Sequence, residues 1–253
     1  MLHEYPVLFI SWRSPRTRLI HPVGRLTFEA TTHRYEFVYI RSALKAVEDG
    51  FTPFPEFPRF ESAYRSAQLF PLFSNRVMPA SRPDYAAFLR SLGLRADNVN
   101  PMVILARTGG RRETDQIEMF PIPTLDPDSG CYTAHWLLRA IQYMPRPITE
   151  ERIARLVVGE KLFVMTDPQN PVDKNAIAVR TGDNVLLGYI PAYLTSDLRL
   201  LKNECRELHV FVEQVNPAPA EAHHRLLCRV VSCWPDGFQP FQTPEFESLA
   251  SSA

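Results

Sequence analysis

The residues with the most chemical potential sit in a loop, DPQNPVDKN, running from Asp167 to Asn175. Asn170-Pro171 favours an extended or turned backbone, and the Asp173 carboxylate can accept backbone N–H groups that hold such a loop in shape. Loop architecture and ligand contact are both open for Asp173. Other clusters fit known chemistries less well. The four cysteines, Cys131, Cys205, Cys228 and Cys233, contain no CxxC pair and no tetrahedral zinc spacing. Cys228 and Cys233 fall on opposite faces if LLCRVVSCW is a strand, so a shared metal or disulfide between them is disfavoured. Reduced structural thiols in a cytoplasmic protein are expected. His223 and His224 read as turn residues. TGGRR lacks the GxxxxGK[ST] pattern of a phosphate loop, although Arg111 and Arg112 could touch a backbone phosphate. Ser232, His209 and Asp236 are the types a hydrolase uses, but no spacing joins them. No enzyme, cofactor or metal site is expected.

The elements that must position the loop are legible in the second half. KLFVMT, NAIAVR and VLLGYI read as strands, with TGDN as a turn between the last two. Ile177 and Val179 alternate with Ala176 and Ala178, giving one strand face larger than the other, and Gly188 permits a bend or a close backbone approach beside Tyr189. A helix follows from Pro191, with Leu194, Leu198 and Leu201 on one face. LHVFVEQV and HRLLCRVVSCW add two strands, so that five strands and one helix describe a small barrel or curled sheet.

In the first half, YPVLFISW, RLTFEA and YEFVYI predict strands, and SALKAVEDG a helix with Leu44 and Val47 on its apolar face. Phe51, Phe54, Phe57 and Phe60 recur every third residue among prolines, an extended stripe laid over a core. RPDYAAFLRSLGL predicts a helix, and PMVILARTGGRRETDQIEMFPIP a hairpin turning at Gly109-Gly110. Two prolines in MPRPIT suppress regular pairing and suggest a linker. The domain expectation is therefore an N-terminal α+β domain over 1–148, a barrel over 149–240 and a mobile tail over 241–253.

Basic and acidic residues balance at 28 each in 253 residues, so any nucleic-acid contact must be local. Arg13, Arg16, Arg18, Arg25, Arg34 and Arg41 concentrate positive charge at the front, while the second half is slightly acidic. The 23 prolines argue against long helical bundles. No apolar run is long enough for a membrane span, and the first residues do not read as a secretory signal.

Asn170, Pro171, Asp173, Asn175, Ala176, Ile177 and Val179, followed by Gly188, Tyr189, Ile190 and Pro191, resemble the HIRAN domain, a small β-barrel found in fork-remodelling helicases and bacterial proteins. The resemblance spans roughly Glu150 to Trp234. It implies an α+β chain whose N-terminal part precedes an OB-like barrel, binding single-stranded DNA or DNA 3′ ends, in DNA repair. Aromatic rings would stack on a base and the loop acid would meet the terminal hydroxyl. The implied nucleic-acid-binding residues are Asp173, Lys174, Asn175, Tyr189 and Tyr193, with Arg155 and Lys161 as phosphate contacts. The sequence departs from the family pattern in three places. Val172 replaces the loop tyrosine, RIARLV stands where an Arg-Tyr-Tyr stretch is expected, and Ala192 stands where a basic residue is. Two missing rings, at ~1 to 3 kcal/mol per stacked base, motivate the alternative of a non-enzymatic protein-interaction or regulatory adaptor. More loosely, VGRL, YEFVYI and LFPLFSNRVMP resemble the N-terminal subdomain of HipA-type kinases, without a kinase core, which implies a docking module for a protein partner.

Overall fold

The computed structural model describes residues 6–95, 99–112, 114–126, 128–205, 207–217, 220 and 222–250. Its contacts divide the chain into two compact units, the first holding residues 1–89, 95–122 and 241–253, the second 90–94 and 123–240. Each is built on one antiparallel sheet.

In the first unit β1 (Val7–Arg13), β2 (Ile20–Glu29), β3 (Arg34–Tyr39), β4 (Tyr64–Ser66) and β5 (Ile117–Pro121) form a sheet in the order β4-β3-β2-β1-β5. The three strands expected from alternation are β1, β2 and β3. The phenylalanine stripe covers this sheet: Phe51, Phe54 and Phe57 are buried, and Phe57 stacks on Phe37 with ring centroids 4.2 Å apart. The Tyr39 hydroxyl ties the stripe down, donating to Phe57 O at 2.9 Å and accepting the Phe54 N–H at 2.7 Å. Helix α1 (Ser42–Glu48) forms where expected but buries Ser42, Ala43 and Ala46, leaving Leu44 and Val47 exposed. Small side chains on the inner face let the helix backbone come close to β2. After the short α2 (Pro71–Ser74), helix α3 (Tyr85–Ser91) confirms the RPDYAAFLRSLGL reading.

The hairpin expected around Gly109-Gly110 is replaced by α4 (Pro101–Thr108) leading into β5. Capping decided the matter. Asn100 Oδ1 accepts the Met102 N–H at 2.9 Å, Pro101 occupies the first turn, and Gly109 ends the helix at φ 71°. PMVILA is aliphatic because the helix is buried nearly all round. The stretch 241–250, expected to be a mobile tail, packs on the first unit: Phe241 is buried against Phe9 and Phe120, and Ile40 bridges to Ser248. Aromatic contact replaces the apolar periodicity that the tail lacks.

In the second unit β6 (Thr124–Leu125), β7 (Tyr132–Leu137), β8 (Lys161–Thr166), β9 (Ile177–Arg180), β10 (Leu186–Tyr189), β11 (Leu208–Val215) and β12 (Leu226–Ser232) form a sheet in the order β10-β9-β8-β11-β12-β7-β6. The five strands read from the sequence are β8 to β12. β7 joins them from ahead of the expected boundary at residue 149, pairing with β12 from Leu137↔Leu227 to Tyr132↔Ser232. The proposed linker instead begins helix α5 (Arg146–Ala154), with proline in its first turn where the missing N–H costs nothing. Helix α6 (Ala192–Glu204) buries Leu194, Leu198 and Leu201 as its spacing predicted. The sheet curls without closing, and Tyr189 of edge strand β10 exchanges hydrogen bonds of 3.0 and 2.8 Å with Arg139, just past β7, the next-to-last strand.

Cys205, at the end of α6, and Cys233, just past β12, form a disulfide across 28 residues, in place of the reduced thiols expected. Cys228, within β12, is buried and remains a free thiol. The disulfide removes the thiol argument for a cytoplasmic protein. Among the described residues no helix is long and apolar enough to cross a membrane.

One acid lies inside the second unit. Asp197, on α6, is only 9% exposed beside buried Tyr132, its Oδ2 has no hydrogen-bond partner, and burial raises its pKa to about 7. A carboxyl raised above its unfolded value binds its proton more tightly when folded. Its stabilising effect is present below the ordinary carboxylate pKa and is lost as pH rises through about 7. The loss has a limiting slope of about 1.4 kcal/mol per pH unit. Urea denaturation should therefore find Asp197→Asn close to the parent near the acid end of this window and more stable than it above the window. Equal stability of the two proteins across the range would show that Asp197 ionises freely in the fold.

Candidate nucleic-acid interface

The Asn-Pro loop is shaped by its own side chains. Asn170 Oδ1 accepts the backbone N–H groups of Val172 and Asp173 at 3.0 and 3.1 Å, and Asp173 Oδ1 accepts the Asn175 N–H at 2.8 Å. The loop begins and ends on β8 and β9, where Asp167 N–H donates to Ala176 O at 2.9 Å. The Asp173 bond is of the kind the sequence suggested, and the Asx turn made by the Asn170 side chain adds to the turned backbone expected of Asn170-Pro171. They leave Val172, Lys174 and Asn175 exposed at the tip, with Val172 62% accessible.

The edge strand β10 brings Tyr189 to this loop. Its hydroxyl donates to Asp167 Oδ2 at 2.8 Å, and Asn170 Nδ2 lies 3.5 Å from the same oxygen. Partial burial, then the bond to Asp167, raise the phenol pKa. Gly188 makes the approach possible, because a Cβ there would lie 2.3 Å from Arg139 O at a φ of 156°. The expected close backbone approach is thus an approach to the segment after β7. The loop and the Gly-Tyr edge lie together on one side of the curled sheet.

The remaining candidates are distributed more widely. Lys161 is exposed on β8, with Nζ 6.0 Å from the Phe163 ring centroid. Arg155 is exposed at the C-cap of α5 and donates to Glu151 O. Tyr193 is half-buried and packs against the core of the second unit near Tyr132. Ala192 opens α6. Ser232 donates to Glu207 O at 2.9 Å while His209 Nε2 lies 2.9 Å from Glu207 Oε2, so these two do not assemble a hydrolytic set. Arg111 and Arg112 are exposed after α4. Among the described residues no group of His, Cys, Asp or Glu could hold a metal ion.

Two contributors escaped sequence reasoning. Asp167 looked like a loop residue, yet it is the partner of Tyr189. Arg139 supplies the backbone that Tyr189 pairs with. The stretch RIARLV, aligned with the entry to the first strand, instead ends α5, where Arg152 contacts both Glu160 and Asp183. The bond to Arg152, after one to Thr181, helps lower the Asp183 pKa to about 2.

Residues 137–233 match the HIRAN domain. The match begins at the end of β7, ahead of RIARLV, and so includes the Arg139 segment. HIRAN domains bind DNA at the family level. No curated protein matches the chain. Among solved structures, a protein from Lactobacillus plantarum is 20% identical, covering 40% of this chain and 91% of that one with a TM-score of 0.31. The HIRAN domain of human HLTF is 18% identical, covering 40% of this chain and 74% of that one with a TM-score of 0.29.

Gly188→Ala should break the Arg139–Tyr189 bridge and lower stability by about 2 to 4 kcal/mol, measured as a drop in the urea midpoint. An unchanged midpoint would mean that the ends of the sheet do not need this contact.

Proposed function

We propose that the chain binds single-stranded DNA through its HIRAN domain, with the Asn-Pro loop and the Gly-Tyr edge as two walls of one site. The observation that carries this reading is the 2.8 Å bond from Tyr189 to Asp167, which fixes an aromatic ring beside the Asn170–Asn175 loop. In this reading Tyr189 offers its ring to a base, and Asp173 turns its second oxygen to the hydroxyl of a 3′ end. Lys174 and Asn175, exposed beside it, meet the last phosphate. Lys161 and Arg155 act as outlying phosphate contacts, and Tyr193 supports the rim. The charge balance of the whole chain makes affinity depend on these local cations, so binding falls with salt. This reading includes a role in DNA repair, whereas the Cys205–Cys233 disulfide, a bond that oxidising compartments keep, lends the expected cytoplasmic location no support.

A second reading is supported by Val172, which puts an aliphatic side chain where the family pattern has a ring. Without that ring the barrel serves as a non-enzymatic adaptor, and the first unit, similar to a HipA-type subdomain, docks a protein.

Fluorescence anisotropy with strands ending in 3′-hydroxyl, 3′-phosphate or a blocked 5′ end, at two salt concentrations, separates the readings. Tyr189→Ala should weaken binding roughly 5- to 100-fold, the value of one stacked base. Asp173→Asn keeps the cap on Asn175 and should erase any preference for a free 3′-hydroxyl. If both variants bind as the parent does, the site lies elsewhere, and if the parent binds no strand at micromolar protein, the adaptor reading takes its place.

A further inference from the structure

Strand β8 turns Leu162 and Val164 toward the core and the alternate residues Lys161, Phe163 and Met165 outward, with Phe163 39% and Met165 47% exposed. Phe163 and Met165 put two large apolar side chains, two residues apart, on that outer face. The register shows what surrounds them. Phe163 pairs with Arg180 of β9, whose guanidinium carbon lies 5.0 Å from the Phe163 ring centroid, while Lys161 Nζ lies 6.0 Å from it. Met165 pairs with Ala178, and Ala178 with Tyr189, so Met165 and Tyr189 lie in one row on the face that carries Phe163. On the other side, Lys161 pairs with Phe211 of β11, over which Arg229 sits at 5.5 Å. The nearby acids are engaged: Glu213 of β11 binds Arg229 at 3.0 Å, and Glu207, just ahead of β11, lies 2.9 Å from His209.

Flat rings alternating with cations across a sheet suit a ligand that presents flat bases and a negative backbone in alternation. A protein partner would need apolar knobs with complementary carboxylates, whereas single-stranded DNA supplies both features at every nucleotide. We propose that the outer face of β9, β8 and β11 is a stacking track for single-stranded DNA, with Phe163 as its central ring and Arg180 and Lys161 on the phosphates. The track starts from the Tyr189 row and leads away from the Asn-Pro loop, so it rests on the DNA-binding reading above and extends its footprint. It makes affinity grow with strand length beyond what the loop site alone holds.

The test is anisotropy with oligo-dT of graded length, from a strand short enough to fill only the loop site to one that spans the sheet. Phe163→Ala should weaken the long strand roughly 5- to 100-fold and leave the short one unchanged. Arg180→Gln should reduce the salt slope of long-strand binding by about one. Phe163 is exposed, so an unchanged thermal midpoint shows that neither effect comes from unfolding. If Phe163→Ala binds long strands as the parent does while Tyr189→Ala weakens both lengths, there is no track and the loop site stands. Affinity that is independent of length in the parent also overturns the track. No binding by the parent at any length removes the loop site together with the track.

Discussion

The geometry of the candidate interface depends on one close approach. Two strands that lie at or near opposite ends of a seven-stranded sheet are brought together where Arg139 and Tyr189 exchange backbone hydrogen bonds, and the absence of a side chain at Gly188 is what lets the chains come that near. A curled sheet left open at this point would have to expose buried residues such as Leu187 and Ile190, or repack them against water. Burial of those side chains, worth about 1.5 to 3 kcal/mol each, is the force that holds the curl, while the bridge sets its register. Because Tyr189 belongs to the bridge, the same contact that joins the sheet also fixes the ring that faces the loop.

Polar interactions then refine what the curl makes possible. Asn170 and Asp173 spend their side chains on the backbone of their own loop, which pre-forms it without help from a ligand. A loop ordered in advance loses less entropy on binding. Asp167 plays a different part: by accepting the Tyr189 hydroxyl it ties the start of the loop to the edge strand. The outer face of β8 continues from this point along the pleat, since residues two apart on a strand share a face. Chemistry at the loop and the exposure of Phe163 are therefore consequences of one register.

How far this was readable can be judged from individual residues. The alternation in KLFVMT announced β8 and the leucine spacing after Pro191 announced α6, because local periodicity and burial on one side agree there, while NAIAVR announced β9 by its alternating large and small residues although both of its faces are covered. PMVILA misled, because a helix buried nearly all round shows no periodicity and only the Asn100 cap distinguishes it from a strand. RIARLV was placed in a motif by its proximity to the first strand; it ends α5 ahead of β8, and the segment that pairs with Tyr189 lies before that helix. Cys233 was weighed only against Cys228, its neighbour in sequence, and its partner Cys205 lies 28 residues away.

From its order of residues alone, the chain determined the Asx-turn loop, the strands on either side of it, the helix that follows and the resemblance these carry together. All of these are set by interactions between residues a few positions apart. Tertiary structure decided that Asp167 meets Tyr189, that Arg139 bridges to Tyr189 across the curl and that Phe163, Arg180 and Phe211 share one outer face. Those contacts join residues separated by many positions, and they exist only because burying the inner faces of seven strands at once forces the sheet to bend.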